Sequence, residues 1–281
     1  MTTTLRPTAS EQRTDGGGRA RSYEVCVNSR PVGSVRLATD ACLGPEAGRI
    51  ERLDIDEAER HRGRGTVAAL AAEEVLRGWG CTQLVVSVPA EATTALGLAG
   101  ALGYRERGRN MLKRLTEPPE LPEGSAIRPL AEADYPAWYA HERAGHVDDL
   151  LRRGLTRRQA DAKAEADYAT LLPQGPDTPG ALLRVLAHGG TDVGTLWAAL
   201  RREEPDAAES GEAYVFSVEV AEEHRGRGHG RTLMLAAERA SLAHRARSLG
   251  LDVFGGNTPA LRLCESLGYE PVEYQFYKPL L

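Results

Sequence analysis

The segment richest in chemistry-bearing residues is Val220-Ala-Glu-Glu-His-Arg225-Gly226-Arg227-Gly228-His229-Gly230-Arg231. It follows a β-rich run at 213–220 (AYVFSVEV) and leads into residues 231–247, where Leu233, Ala236, Ala237 and Ala240 share one helical face. Glycines at a strand-to-helix corner let the backbone curl around a ligand, and the helix N-terminus adds a positive dipole end. Phosphate or pyrophosphate is the natural guest, with Arg225, Arg227 and Arg231 adding charge. The spacing is neither G-x-G-x-x-G nor a P-loop, since no Gly-Lys-Ser/Thr follows. Plain turn chemistry is the competing reading of such a corner.

The elements that must position this corner follow from periodicity. Residues 249–254 read as a second strand. A helix over 258–267 follows, with Asn257 as its N-cap and Gly268 as its stop. Upstream come a short strand (127–130), two helical stretches within 131–171, and a hairpin of 182–187 with 193–200. The fold class is α/β (α+β), built as strand, glycine turn, helix, strand, helix.

A chain of 281 residues is long for one hydrophobic core, and residues 116–125 (TEPPELPEGS) read as a linker. Sliding the sequence by 165 residues aligns its halves without gaps, giving 18 identities in the 50 positions 55–104. Arg60, Arg62, Gly63 and Gly65 meet Arg225, Arg227, Gly228 and Gly230, and Leu102-Gly103-Tyr104 meets Leu267-Gly268-Tyr269. One domain is used twice. The expected division is a flexible tail at 1–21, in which Thr3 to Arg6 could add a short strand, a trimmed copy at 22–115, the linker, and a full copy at 126–281. The first copy has no room for the two early helices.

Arg225-x-x-Gly228-x-Gly230 resembles the R/Q-x-x-G-x-G/A signature of the GNAT superfamily of acyl-CoA-dependent N-acetyltransferases. Asn257 before a helix ending in Leu267-Gly268-Tyr269 resembles that family's second signature. The resemblance implies two GNAT-like domains, each a mixed, largely antiparallel sheet flanked by helices and splayed by a bulge, here near Val218 to Val220. Acetyl-CoA, the acyl donor, would lie in the splay. Val218 and Val220 would hold its pantetheine arm through their backbones, the amides of Gly226, Arg227, Gly228, His229, Gly230 and Arg231 its pyrophosphate, and Asn257 the arm near the thioester. The chemistry implied is direct attack by a primary amine of a small molecule or peptide, in the C-terminal copy.

A protonated amine must lose its proton to react, and Asp252, on the strand beside the cleft, is the first candidate base. Glu219 is the second, although its parity opposes that of Val218 and Val220. The usual acid position of the family is occupied by Cys264, which reads first as a small buried residue on a helix and second as a proton donor. Tyr277 and Tyr274 on the last strand are alternative acids. Tyr135, Trp138 and Tyr139 border the acceptor site by family position, or else form core. A non-catalytic acyl-CoA-binding or scaffolding protein is the alternative to an enzyme. In the first copy Ala92, Ser87 and Ala99 replace Asn257, Asp252 and Cys264, so its role reads as mainly structural.

Other features bound the function. Thirty-five basic against 40 acidic residues, net charge −5, provide no field for nucleic acid or anionic membrane. The four cysteines are scattered, His141, His146 and His188 lack ligand spacing, and no metal site is expected. No run approaches a membrane span and no export signal is visible, so a cytoplasmic protein is expected. The acidic run 203–209 reads as a solvated loop.

Overall fold

The computed structural model describes residues 3–13, 17–201 and 211–280. The acidic run 203–209 lies outside the described residues. Along the chain come β1 (Thr3–Pro7), β2 (Gln12–Arg13), β3 (Arg19–Val27), β4 (Arg30–Asp40), β5 (Gly44–Ile55), α1 (Arg64–Gly78), β6 (Gln83–Pro89), α2 (Thr93–Ala101) and β7 (Arg105–Arg114). Then follow β8 (Ser125–Pro129), α3 (Tyr135–Arg152), α4 (Arg157–Leu171), β9 (Ala181–His188), β10 (Thr191–Arg201), β11 (Gly211–Val220), α5 (His229–Ala243), β12 (Ala246–Phe254), α6 (Thr258–Ser266) and β13 (Glu270–Pro279).

The chain forms two compact units that cut the sequence differently from the repeats. Unit 1 comprises Met1–Gly108, Leu150–Thr156 and Glu273–Leu281; unit 2 comprises Arg109–Asp149 and Arg157–Val272. The expected linker at 116–125 therefore falls inside unit 2. The reason is pairing: β13, the last strand of the second repeat, runs antiparallel to β6, with Tyr277 opposite Val85, and Leu280 and Phe276 join the unit 1 core. The short strand expected within the first 21 residues packs on unit 1. Thr3–Pro7 pairs with β3 from Thr3↔Val27 to Pro7↔Tyr23, and Leu5 packs on the same core.

Strand order is β1-β3-β4-β5-β6-β13 in unit 1 and β7-β12-β11-β10-β9-β8 in unit 2. Each unit has one parallel pair reached through a strand-to-helix crossover. In unit 2, β11 and β12 pair from Gly211↔Ala246 to Val215↔Leu251; in unit 1, β5 and β6 pair from Ala47↔Gln83 to Arg49↔Val85. The unit 2 core lies between the sheet and the apolar faces of α5 and α6, with Leu233, Ala237 and Leu249 fully buried. On the other sheet face Trp138, Tyr168, Leu183 and Trp197 form a separate cluster beneath α3 and α4.

A bulge interrupts each ladder at the same repeat position. Trp197 faces Ser217 while Ala198 faces Val215, leaving Phe216 as the extra residue. Arg36 faces Arg52 while Leu37 faces Ile50, leaving Glu51. The unit 2 bulge thus sits just before the expected Val218 to Val220. An extra residue reverses side-chain parity, so Val215 and Val218 both pack on the α5 side.

Candidate functional site

The glycine corner in unit 2 is a built cradle. β11 ends at Val220, a single 3-10 turn covers Glu222–His224, and Gly226 and Gly228 take φ of 74° and 87° before α5 begins at His229. The first bond into the helix runs from Thr232 N–H to the Gly228 carbonyl at 3.2 Å. The amides of His229, Gly230 and Arg231 therefore have no intrahelical acceptor and point out of the positive end. A Cβ built on Gly226 or Gly228 would meet nothing within 4 Å, so the concave side is open. These residues fit a phosphate group.

Two of the basic side chains also hold the corner's framework together. Arg225 donates from Nε to the Val220 carbonyl at 3.1 Å, clamping the corner to its strand. Arg231 donates to Ser266 Oγ at 2.5 Å, tying α5 to α6. Arg227 is exposed. The His229 ring is buried with its centroid 5.1 Å from that of His188, and burial, followed by His188, His224 and Arg227, holds its pKa below the ordinary histidine value. Its imidazole is thus neutral near pH 7, and its contribution to an anion is its amide.

Beyond the Val215↔Leu251 pair, β11 and β12 no longer bond each other, so backbone groups of 216–220 on that edge are open to a ligand. Val218 and Val220 turn their side chains into the core, and a Cβ built on Gly230 would meet Leu263 at 3.4 Å and Val220 at 3.9 Å. Glu219 and Asp252 alternate with these core residues and lie on the opposite, α3 face. Glu219 meets His141 Nε2 at 2.8 Å, and Asp252 is exposed.

On that face stands a carboxylate that sequence reasoning missed. Glu142 of α3 accepts a hydrogen bond from Ser217 Oγ at 2.9 Å. Burial, the largest cause, and the nearby Glu219 raise its pKa, against the lowering effects of Ser217 and His141. A single glutamate on an exposed-looking helix has no spacing partner; the available signal was its position one turn after Trp138. The aromatic residues expected either at the acceptor site or in the core are packed together. Trp138 meets Trp197 edge-on at 5.7 Å, Tyr139 meets Tyr168 at 5.2 Å, and Trp197 stacks on Phe216 at 4.7 Å.

Asn257 caps α6, its Oδ1 accepting from Ala260 N–H at 3.2 Å. Cys264 is 4% exposed within the unit 2 core, and burial pushes its thiol up to about 11. Tyr277 is in unit 1, beneath the Arg107 guanidinium at 4.8 Å, and so does not share a compact unit with Asp252, Glu219 and Asn257. Its repeat equivalent in unit 2 is Leu112, which reaches to 3.6 Å of a Cβ built on Gly250.

Unit 1 repeats the corner with altered chemistry. Arg60 donates from Nε to the Ile55 carbonyl at 2.8 Å, and His61 and Gly63 take φ of 58° and 72°, matching Gly226 and Gly228. His61 holds the left-handed conformation without glycine, while buried Glu59 pairs with Arg30 and Arg64. Ala92 gives α2 no side-chain cap.

Among the described residues no helix is long and apolar enough to cross a membrane, and no group of three or more His, Cys, Asp or Glu side chains is placed to hold a metal ion. Residues 4–104 and 136–269 both match the Acetyltransferase (GNAT) family. Mycothiol acetyltransferase of Thermobispora bispora is 34% identical over 220 residues, 74% of this chain and 68% of that protein. Mycothiol acetyltransferase of Pseudarthrobacter chlorophenolicus is 30% identical over 250 residues, 86% and 74% respectively. Two solved structures, each 20% identical, share the fold. A GCN5-related N-acetyltransferase from Sphaerobacter thermophilus has a TM-score of 0.56 over 92% of this chain and 80% of that one. A tandem GNAT protein from the clavulanic acid biosynthesis pathway has 0.51 over 96% and 85%. The chain is therefore a tandem member of the GNAT family of acetyltransferases, enzymes that use acetyl-CoA as donor.

Proposed function

We propose that the second repeat transfers an acetyl group from acetyl-CoA to a primary amine of a small molecule or peptide. The observation that carries this reading is the open edge of β11 beyond Val215, running directly into the amide cradle of Gly226 to Arg231. The pyrophosphate of acetyl-CoA binds the cradle amides, and the pantetheine arm takes strand-like bonds from Val218 and Val220. Asn257, fixed by its own cap bond, lies at the start of α6 on the other lip. Asp252 and Glu219, both on the α3 face, attract the cationic amine before it loses its proton. Cys264 serves packing, because a thiol inside an apolar core is held neutral and away from solvent.

Because two relatives are named mycothiol acetyltransferase, a mycothiol-type amine is the first compound to test, ahead of a panel of amino sugars, polyamines and peptides. The deciding experiment combines calorimetry of acetyl-CoA binding with thiol release on that panel. Binding with acetylation of one amine is the expected result. Binding without transfer to any amine would overturn the reading and favour an acyl-CoA-binding role.

A further inference from the structure

Among the described residues of unit 2, Glu142 is a carboxylate shielded on the sheet face where a reacting amine would arrive. A ligand laid along the free edge of β11 from the glycine corner must stop where β11 and β12 rejoin at Val215↔Leu251. At about 3.3 Å per residue, the run from Val220 back to Phe216 is about 13 Å. Its reactive end therefore lies beside Phe216 and Ser217. Ser217 is turned toward α3 by the bulge at Phe216, and its hydroxyl donates to Glu142 Oε1 at 2.9 Å. Glu219 lies two residues, about 7 Å, nearer the phosphate corner, and is bound to exposed His141. Asp252 is exposed on the other lip.

The surroundings of Glu142 suit proton transfer. Trp197, 4% exposed, is the β10 partner of Ser217 and packs on Tyr168 at 5.3 Å, and its indole N–H has no hydrogen-bond partner among the described residues. A buried donor without a protein acceptor marks a place where a ligand atom or water completes the structure. The titratable groups facing Glu142 are His141 on its own helix, Tyr168 on α4 and Glu219 on β11. Burial outweighs the Ser217 hydrogen bond and moves the carboxylate toward neutral pH, where a base works best.

Building on the acetyl-transfer reading, we propose that Glu142 is the catalytic base of unit 2. The amine nitrogen donates its lone pair to the acetyl carbon and forms the C–N bond. The C–S bond breaks with its electron pair leaving on sulfur as CoA thiolate, and the proton lost by nitrogen passes to a Glu142 oxygen. Ser217 is a positioning residue that favours the ionised carboxylate.

The test is the pH profile of kcat/KM for acetyl transfer from acetyl-CoA to the fastest amine of the panel. Glu142→Gln, which keeps the shape, should lose about 100-fold or more and lose the acidic limb, with acetyl-CoA affinity by calorimetry retained. Ser217→Ala should move the acidic limb to higher pH, because the bond it removes favours the charged form; a purely structural role would not shift it. Glu219→Gln and Asp252→Asn should raise KM for the amine and keep the limb. An unshifted limb in Glu142→Gln, or loss of the limb in Asp252→Asn, overturns the assignment while transfer by the wild type leaves the acetyltransferase reading standing. A wild type that acetylates no amine removes both.

Discussion

The Lys113 ammonium lies 2.8 Å from both carboxylate oxygens of Glu238, and Lys278 lies at the same 2.8 Å from both oxygens of Glu73. The four residues are related by the 165-residue repeat, yet each lysine sits with the glutamate of the other copy. Each buried glutamate, on the core face of α1 or α5, is thereby neutralised from a terminal strand of the opposite repeat. Even the aromatic neighbour repeats, with Lys113 over Tyr269 at 5.7 Å and Lys278 over Tyr104 at 5.3 Å. The duplication has exchanged its last strands.

Removing one lysine should expose the cost of this arrangement. Lys278→Met leaves buried Glu73, 2% exposed, without its ammonium partner, and among the described residues Tyr104 and a 4.0 Å contact from Arg77 remain. A loss of roughly 3 kcal/mol is expected by urea unfolding, because an unpaired buried charge keeps its full desolvation penalty. Adding Glu73→Gln should recover most of it. Strict additivity of the two substitutions would contradict the pairing.

The exchange also governs what can fold alone. A fragment of residues 126–281 lacks Met111, Lys113 and Leu115, all part of unit 2, and strands Glu238 without its cation. It should give no cooperative thermal transition, whereas a fragment starting at 105 restores β7 and should melt cooperatively. A sharp transition in the shorter fragment would show β7 to be dispensable.

The phosphate corner can be tested without confusing binding and strain. Gly226 has φ of 74° and open space around its Cβ, and the first repeat holds His61 at the equivalent point with φ of 58°. Gly226→His should therefore cost only about 1–2 kcal/mol of stability. Gly226→Asp should cost the same or less, since Asp tolerates the left-handed region, but should weaken acetyl-CoA binding by 10-fold or more by placing a negative charge at the cradle. Equal affinity in wild type and Gly226→Asp, by calorimetry, would remove the corner from the binding site.

Local chemistry was readable in the sequence, and long-range pairing was not. The glycine corner, the α5 face of Leu233 and Ala237, and the Asn257 cap depend on neighbours within a few residues, so spacing revealed them. The bulge lies at Phe216, just before the expected Val218 to Val220; a single extra residue leaves no mark on an AYVFSVEV run whose residues all suit a strand. Sequence order assigns Tyr277 to the second repeat, and nothing in β13 itself records that its partner is β6. Glu142 escaped notice for a related reason. Its environment is made by Ser217, 75 residues away, whose strand partner is Trp197, and by Tyr168 on a further element.

The buried thiol makes a pH prediction. Burial raises Cys264 from 9.0 to about 11, so between these values the unfolded chain has lost a proton that the native state retains. Stability from this group is complete below about pH 9 and falls as pH rises to 11, by about 2–3 kcal/mol in all. The difference between wild type and Cys264→Ala in urea unfolding at pH 8 and pH 11 should show that slope in the wild type only. Turnover of Cys264→Ala at pH 7.5 should remain within about threefold; a loss of 100-fold would make the thiol the missing acid.

Asn257 can be separated into cap and ligand roles. Its Oδ1 bond to Ala260 N–H satisfies one of the open donors at the start of α6, so Asn257→Ala should lower stability by about 1 kcal/mol. Asn257→Ser keeps an oxygen for the cap and should restore most of that stability. If the amide also contacts the pantetheine arm, as the family resemblance implies, Asn257→Ser will remain stable yet bind acetyl-CoA more weakly than the wild type by several fold. Wild-type affinity in Asn257→Ser would confine this residue to capping, and the first repeat, with Ala92 and no side-chain cap at that place, would then differ from the second in stability rather than in ligand recognition.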